Sequence, residues 1–421
     1  MFEQSCMSNH VVIVGAGVIG AASALALLKD GHKVTLVDKE RPCAGASFGN
    51  AGAIVNGSCA PTAMPGIMFD AVRMLAHANS PFSIKPSYLA KITPWLFRFI
   101  LQSRSSAVFK NAKHLHALSQ HAVESWYQLT NNTQLTSLFR ETGWLKVYEL
   151  EKTFAETLKA RELFDANETN YELLTASQIH DLEPNLATVF KRGFYQKDSL
   201  SITNPERLVE GIVDLFVSRG GTYKRFDVGR ITTNDNQVTL RGSCGEMTAN
   251  RVVIAAGAWS RSLAKQLRDN IPLDTERGYH LMLPKSNSSL LSRPVVHGEN
   301  SFVLSPMETG LRMTSQVEFA GLNAPPDYKK IRSLLPLVKK MLPKAETREE
   351  SVWLGFRPSL PDSLPVLGFS SKTNKVIYAF GHQHLGLTLG AITGFLISDL
   401  LSNRTPRIPI FPYRPNRFNQ L

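Results

Sequence analysis

The first forty residues combine apolar runs with glycines, a pattern that predicts a strand, a turn, a helix and a second strand. Residues 11–14 are valine and isoleucine, which favour strands, and the alanine- and leucine-rich stretch up to Leu28 favours a helix. Gly31 ends the predicted helix, since glycine readily adopts the left-handed conformation that follows many helix C-termini. Residues 33–37 (KVTLV) predict a second strand that leads into Asp38.

Two later apolar runs predict strands that end in small residues. Residues 251–259 (RVVIAAGAW) form one of them, and residues 376–380 form the other. The second run leads into a glycine- and histidine-rich segment, residues 381–388 (GHQHLGLT), and then into a helix-like stretch to Leu401.

The middle of the chain predicts a helix-rich region followed by antiparallel strands. Residues 106–185 are helix-rich by composition, and residues 278–283 form a β-like stretch. Residues 301–305 and 311–315 predict a hairpin across the Glu-Thr-Gly turn at 308–310.

Composition limits the class of protein. The chain has 421 residues, of which 43% are hydrophobic and 19% charged, so it is globular and long enough for two domains or one large compound domain. Its four cysteines form no C-x-x-C pair, which argues against a disulfide scaffold and against a cysteine-based metal site and predicts a reducing compartment. The histidines lack ligand spacing with acids, so no metal site is predicted.

The uncharged run at residues 11–28 reaches the lower length limit of a membrane span. Its glycines favour a strand, turn and helix instead, and residues 1–10 carry no Lys or Arg, as a signal peptide would require. We expect a soluble or peripheral protein.

The net charge of +12 has two interpretations: contact with an anionic partner, such as nucleic acid, a membrane surface or an acidic substrate, or a role in solubility alone. Residues 66–113 hold seven basic residues and one acid, Asp70, and so supply half of the net charge. Within them, residues 94–101 (PWLFRFIL) combine aromatic and aliphatic side chains with a cation. Such a helix either docks on an anionic membrane surface or packs on the protein, and the pattern serves both.

The glycines of residues 15–20 (GAGVIG) match the G-x-G-x-x-G fingerprint of dinucleotide-binding proteins. Gly15 permits the tight turn, Gly17 lets the backbone approach a pyrophosphate, and Gly20 lets the helix pack closely on the strand. The helix N-terminus stabilises the phosphates, and Asp38 is placed to accept hydrogen bonds from a ribose. The fingerprint alone does not separate flavin from nicotinamide.

Three segments favour a flavin. Residues 41–55 (RPCAGASFGNAGAIV) follow the ribose-binding strand and are rich in small residues, which let the backbone lie against a flat ligand. Residues 251–259 and 381–388 have the same character, and the helix that follows residue 388 could stabilise negative charge on a reduced ring.

These motifs resemble those of the D-amino acid oxidase and dehydrogenase superfamily of FAD enzymes, in particular the bacterial D-amino acid dehydrogenases. The matching pieces are GAGVIG with Asp38, SFGNAGAI, VVIAAGAWS, ERGYH, LRMTSQVEFAG, GFRPSLPDSLPVLG and GHQHLGLTLG, which span residue 11 to about residue 400. GFRPSLPD and GHQHLGLT look most like the enzymes that act on hydroxy-D-proline and similar cyclic amines.

The resemblance implies an α/β fold in which a Rossmann-like FAD-binding domain of the glutathione-reductase type is interleaved with an α+β substrate domain built on a mixed sheet. Residues 1–60, 190–275 and 352–421 would form the FAD-binding domain. Residues 61–189 and 276–351 would form the substrate or cap domain.

The motifs and the resemblance together imply a non-covalent FAD site. Attachment through Cys43 is not expected, because a small buried cysteine explains that position. The expected cofactor contacts are Gly15, Gly17, Val18, Ile19, Gly20, Asp38, Lys39, Ser47, Gly49, Asn50, Ala51, Gly52, Ile54, Val228, Ala256, Gly257, Trp259, Gly381, His382, Leu385, Gly386, Leu387 and Thr388.

The resemblance also implies four residues for the chemistry. Arg357, in the G-x-R-P motif, would clamp the substrate carboxylate. Tyr279 would give that carboxylate a second hydrogen bond or cap the pocket, and His280 would assist deprotonation of the amine; a packed tyrosine and a satisfied histidine are equally open interpretations. His382 and His384 would flank the flavin ring, and one of them, with His384 taken as the catalytic candidate, would contact the flavin or the substrate.

The implied reaction is oxidation of a D-amino acid or a cyclic imino acid, of the D-proline or hydroxy-D-proline type, to an imine that yields a keto acid where it is acyclic. Electrons would pass to a quinone or another respiratory acceptor. The protein would be cytoplasmic, with contact to the inner face of the membrane left open. An oxygen-using glycine or sarcosine oxidase and a tRNA-modifying flavin domain are the alternatives, although no nucleic-acid partner is expected.

Overall fold

A computed structural model describes residues 10–66 and 82–418. The strands are β1 (His10–Val14), β2 (Lys33–Asp38), β3 (Ala53–Ile54), β4 (Phe82–Ile84), β5 (Phe139–Arg140), β6 (Trp144–Tyr148), β7 (Glu172–Thr175), β8 (Arg192–Gln196), β9 (Leu200–Ile202), β10 (Thr222–Arg225), β11 (Val228–Thr233), β12 (Val238–Gly242), β13 (Gly245–Ala249), β14 (Arg251–Ile254), β15 (Asp274–Leu283), β16 (Val295–His297), β17 (Phe302–Met307), β18 (Gly310–Phe319), β19 (Ser351–Ser359), β20 (Val366–Phe369) and β21 (Val376–Phe380).

The helices are α1 (Val18–Lys29), α2 (Leu89–Gln102), α3 (Ser105–Ser119), α4 (Ala122–Thr130), α5 (Glu151–Ala155), α6 (Leu158–Ala166), α7 (Ala176–Leu182), α8 (Pro205–Ser218), α9 (Ser260–Gln266), α10 (Lys329–Arg332), α11 (Leu335–Met341) and α12 (Gly386–Leu401).

A six-stranded sheet carries the predicted strand, turn and helix at its centre. Its strand order is β10-β2-β1-β14-β21-β20, and all neighbours are parallel except β20 and β21. The strands are buried on both faces, which is why they read as continuous apolar runs. Helix α12 packs closely on α1, since a Cβ at Gly394 would lie 2.8 Å from Ala22 O.

A second, nine-stranded mixed sheet follows the order β19-β15-β18-β17-β16-β6-β8-β7, and β4 pairs with β18. The predicted hairpin is confirmed: β17 and β18 pair from Val303 with Thr314 to Met307 with Gly310. One face of this sheet packs against α10 and α11 through an apolar cluster that includes Leu281 and Met313.

The predicted α/β fold class is confirmed. The six-stranded sheet draws its strands from three separate stretches of the chain, as an interleaved arrangement requires. Strands β8 and β19 lie in ranges assigned from sequence to the FAD-binding domain, yet both pair in the nine-stranded sheet. The domain boundaries themselves stay a prediction.

The basic segment 66–113 lies partly outside the described residues. Its described part contains α2, on which Ile92 and Trp95 pack against Phe319 while Phe97 and Ile100 are exposed. In the part of the chain that the structure describes, helices fall short of the length and apolarity needed to cross a bilayer.

Candidate active site

The turn after β1 requires glycine at two positions. Gly15 has a φ of 110°, and a Cβ there would lie 2.4 Å from Ala255 O at the end of β14. A Cβ at Gly20 would lie 1.7 Å from Gly15 O, so α1 can approach the turn only without a side chain at that position. Gly15 and Gly20 therefore have the structural roles that the sequence predicts, and the approach of Gly17 to a pyrophosphate stays a prediction.

The first turn of α1 is shaped by two oxygen-bearing side chains. Asp38 Oδ2 accepts a hydrogen bond from Ala16 N at 2.6 Å. Ser47 Oγ accepts one from Val18 N at 2.9 Å, which brings the loop after β2 against the helix N-terminus. The N-cap residue, Gly17, provides no capping side chain of its own.

A cavity of about 1370 Å³ extends from this turn to one face of the nine-stranded sheet. The predicted residues that line it are Gly15, Gly17, Val18, Ile19, Asp38, Lys39, Ser47, Gly49, Asn50, Ala51, Val228, Ala256, Gly257, Trp259, Tyr279, Arg357, His382, His384, Leu385, Gly386, Leu387 and Thr388. The lining does not include Gly20, Gly52, Ile54, His280 or Gly381. Their roles as contacts stay predictions.

The loop around Asn50 is held by several contacts from its own chain and from the large sheet. The Asn50 side chain donates to Ser47 O at 2.6 Å and accepts from Gly52 N at 2.7 Å. Arg312, which sequence reasoning did not find, donates from Nη1 to the carbonyls of Phe48 and Asn50 at 3.0 and 2.9 Å. This loop forms a fixed wall of the cavity.

His280 lies outside the cavity lining, against that loop. Its Nδ1 is 3.3 Å from Gly49 O, and its ring stacks on Trp353 with centroids 5.1 Å apart. Burial, reinforced by the charge of Arg312, lowers the pKa of His280 to about 3. The ring is therefore neutral at physiological pH.

Tyr279 contributes to the cavity wall, but its hydroxyl is engaged elsewhere. The hydroxyl donates to Glu318 Oε2 at 2.5 Å, and the ring packs edge-on against Tyr328. Burial raises the pKa of Tyr279, and the bond to Glu318 raises it further. A bond from this hydroxyl to a substrate carboxylate stays a prediction and requires exchange of the bond to Glu318.

Arg357 is held against the sheet with its guanidinium at the cavity. The guanidinium lies over Gly278, where a Cβ would be 2.2 Å from Nη2, and Nη1 donates to Gln316 O at 2.8 Å. Burial lowers the pKa of Arg357, and Glu276, its register partner on β15, opposes that shift. The pKa of Glu276 is itself raised by burial. The site thus holds one fixed cation beside a buried carboxyl group.

The two histidines of the 381–388 segment differ. His382 Nε2 lies 3.0 Å from Thr393 Oγ1, whereas its buried Nδ1 has no partner among the described residues. His384 is exposed to the cavity although it lies deep in the molecule. Burial lowers the pKa of His384 to about 4, and the charges of Arg357 and Lys146 contribute to that shift.

Sequence reasoning also missed Gln316, Lys146 and Tyr148, which line the cavity from the face of the large sheet. Lys146 gave a usable signal, because it is a charged residue in the otherwise apolar run Trp144–Tyr148. Gln316 gave none, since its position depends on a register shift between β15 and β18.

Comparison with known proteins identifies the class of enzyme that this site serves. Residues 10–400 match the family model of the DAO family, described as FAD dependent oxidoreductase. The chain therefore belongs to the DAO family of FAD-dependent oxidoreductases, and the predicted family and cofactor are confirmed.

Relatives match over nearly the whole chain. A D-amino-acid oxidase of Bradyrhizobium diazoefficiens is 32% identical over 418 residues, which cover 97% of this chain and 99% of the relative. A D-amino acid dehydrogenase of Vibrio vulnificus is 28% identical, over 94% of this chain and 97% of the relative. The glycine oxidase structure from Geobacillus kaustophilus shares the fold, with a TM-score of 0.71 at 22% identity over 97% of this chain and 99% of that chain.

The described residues fit FAD. The glycine turn leaves the N-terminus of α1 without a capping side chain at Gly17, as a bound phosphate requires. Small residues at 255–258 and at Gly386 line the same cavity, where backbone can lie against a ring system. The unpartnered Nδ1 of His382 offers a further hydrogen-bonding atom beside them.

Proposed function

We propose that this protein binds FAD non-covalently in the cavity and oxidises the amine of a D-amino acid or a cyclic imino acid of the D-proline or hydroxy-D-proline type. The observation that carries the proposal is the fixed guanidinium of Arg357, which lines the same cavity as the glycine turn. The D-amino acid class is supported by the names of the relatives, and the cyclic type by the GFRPSLPD and GHQHLGLT motifs.

The chain would hold FAD in this cavity. The N-terminus of α1 binds the pyrophosphate, and Asp38 binds the adenosine ribose. Residues 49–51, 256–259 and 382–388 line the cavity and would enclose the ring system. When bound, FAD supplies the acceptor for the hydride that leaves the substrate Cα.

Arg357 would orient the substrate. A guanidinium binds a carboxylate through two parallel hydrogen bonds, which fixes direction as well as distance. Its bond to Gln316 O and its seat over Gly278 keep the guanidinium in place before substrate arrives. This pre-organisation positions the Cα hydrogen for transfer.

The charges at the cavity would favour the neutral amine, from which hydride transfer proceeds. Arg357 and Lys146 lower the pKa of His384, and the same positive charges lower the pKa of an ammonium group bound beside them. His384, neutral at physiological pH, adds no further positive charge beside that amine. An acyclic imine then reacts with water to give a keto acid and ammonia, whereas a cyclic imine keeps its nitrogen.

The electrons would pass to a quinone or another respiratory acceptor at the membrane surface. Support comes from α2, whose exposed Leu89, Phe97 and Ile100 lie in the same helix as exposed Lys91. Apolar side chains that enter the headgroup region, with lysine beside them, suit peripheral contact with anionic lipid. We place the protein in the cytoplasm, at the inner face of the membrane.

The test is turnover by the FAD-loaded protein with D-proline, hydroxy-D-proline and D-alanine, with their L-enantiomers as controls. A soluble quinone, oxygen consumption and ammonia release are followed together. The expected result is quinone reduction with the D-forms and ammonia from D-alanine alone. A protein that retains no FAD, or that turns over none of these compounds, overturns the proposal. Peroxide formation as fast as quinone reduction would instead make it an oxidase.

A further inference from the structure

Gln316 has a left-handed backbone conformation at a bulge in the large sheet. Its φ is +76°, in the left-handed region that glutamine rarely adopts, and it lies within β18. The register between β15 and β18 shifts at this point, between Arg277 and Tyr279. Strained positions of this kind concentrate at ligand sites, where the surrounding structure holds them.

The side chain of Gln316 is buried, and its amide is unbonded among the described residues. The residue is 4% exposed, and both Oε1 and Nε2 lack a hydrogen-bond partner in the part of the chain that the structure describes. Gln316 nevertheless lines the cavity. A buried amide with two unused atoms is costly, so a ligand that supplies both partners accounts for the position.

The amide adjoins the expected carboxylate clamp. The carbonyl of Gln316 accepts the hydrogen bond from Arg357 Nη1 at 2.8 Å, so the two residues are joined directly. In an α-amino acid or a proline ring, amine and carboxylate sit on the same carbon. A substrate whose carboxylate is bound to Arg357 therefore carries its amine next to the neighbouring side chain.

We propose that Gln316 recognises the substrate amine: Oε1 accepts a hydrogen bond from the amine N–H, and Nε2 donates one to the carboxylate. This inference rests on the proposed function. With the carboxylate on Arg357 and the amine on Gln316, only one hydrogen of Cα can face the cofactor. Gln316 then favours α-amino acids over carboxylic acids that lack an N–H group. It also provides a second fixed contact to the substrate, which together with Arg357 distinguishes the two enantiomers.

Gln383 provides a matched comparison in the same cavity. It also lines the cavity and has a left-handed φ of 50°, but its Nε2 already donates to Leu360 O at 3.0 Å. The amide of Gln383 is thus engaged with the backbone, whereas the amide of Gln316 has no partner among the described residues.

The experiment compares two carboxylates that bind but cannot be oxidised, because neither has a hydrogen on the carbon that bears the carboxylate. Pyrrole-2-carboxylate offers a ring N–H, and 2-furoate has an oxygen in its place. Their dissociation constants for the FAD-loaded protein are measured from the change in the flavin absorption spectrum. One hydrogen bond predicts about a tenfold preference for pyrrole-2-carboxylate.

In Gln316→Met the preference falls to about one, and both carboxylates bind more weakly because each loses the hydrogen bond from Nε2. In Gln266→Met, where the amide bonds to the backbone of Ile231 and Gly229 outside the cavity lining, the preference persists. Gln316→Gly, which suits the positive φ, gives the same loss if the methionine variant fails to fold. An unchanged preference in the Gln316 variants overturns the inference and leaves the proposed function intact. If neither carboxylate perturbs the flavin of the parent protein, the carboxylate site fails, and the inference fails with it.

Discussion

The guanidinium of Arg357 lies directly over the backbone of Gly278, on the neighbouring strand of the large sheet. A Cβ at Gly278 would lie 2.2 Å from Nη2 and 2.3 Å from Cζ. Glycine at this buried strand position weakens the strand, and its presence is explained by the close approach of the arginine. The pair couples a β-strand residue with no side chain to the residue that we expect to bind the substrate carboxylate.

Gly278→Ala should therefore displace the Arg357 guanidinium without affecting FAD. We expect the KM for D-amino acids to rise by about one to two orders of magnitude, because a shift of the clamp by about an ångström costs that much in positioning. The measurement is steady-state kinetics together with the flavin content of the purified variant. Gly229→Ala, where the added Cβ meets only Arg241 O at 3.8 Å, is the control. An unchanged KM in Gly278→Ala would contradict the role of this contact.

Arg357→Met should remove the carboxylate clamp. Loss of one partner of a buried charge pair costs about 2–5 kcal/mol, so kcat/KM for D-proline should fall by about two to three orders of magnitude. Turnover of pyrrolidine, which has the same ring but no carboxylate, should be much less affected. Arg357→Lys should be intermediate, since lysine cannot form the bidentate pair. Equal losses for D-proline and pyrrolidine would rule out carboxylate binding by Arg357.

The buried histidines should make the protein less stable in acid. His280 and His382 have pKa values of about 3 in the folded protein, because burial disfavours the charged ring, against about 6.5 in the unfolded chain. Above pH 6.5 both histidines are neutral in the folded and the unfolded chain, and the free energy of unfolding has its full value. As the pH falls from 6.5 toward 3, the free energy of unfolding decreases, because only the unfolded chain takes up protons in that window. Each histidine contributes about 1.4 kcal/mol per pH unit.

His382→Gln tests this dependence, because glutamine can keep the bond to Thr393 without titrating. We expect the free energy of unfolding, measured with urea at fixed FAD concentration from pH 7 to pH 5, to fall less steeply in the variant than in the parent protein. The difference in slope should approach about 1.4 kcal/mol per pH unit once the pH is well below 6.5. Parallel profiles would show that His382 does not stay neutral in the folded protein.

Helix α2 should bind anionic vesicles. Phe97 is 63% exposed on this helix, and an exposed aromatic side chain next to cations favours the lipid interface. Phe97→Ser should lower the fraction of protein that sediments with vesicles of anionic lipid. Val217→Ser, at an exposed apolar residue on α8, should leave that fraction unchanged. Equal sedimentation of all three proteins would refute membrane contact through α2.

Local features of the fold were predictable from sequence, and features that depend on two strands were not. The glycine turn is encoded within one short segment, and Arg357 was found through a specific motif. Tyr279, Leu281 and Leu283 alternate along β15, so the pattern alone places Tyr279 on the face of the sheet that carries the two leucines. In the structure Tyr279 belongs to the same apolar cluster as these leucines, and its hydroxyl bonds to Glu318.

Gln316, in contrast, depends on a bulge. The register between β15 and β18 shifts where Gln316 adopts its left-handed conformation, so simple alternation along β18 does not describe this region. Lys146 joins Arg357 around His384 only because β6 and β19 belong to one sheet. That strands so distant in sequence share one sheet cannot be inferred from the residues of either strand.

The most direct test of the account is the absorption spectrum of the FAD-loaded protein during anaerobic addition of D-proline and then, in a second sample, of L-proline. The account predicts that D-proline bleaches the flavin band and that L-proline leaves it unchanged. A band that persists with D-proline, hydroxy-D-proline and D-alanine alike would contradict the assignment of this cavity to D-amino acid oxidation.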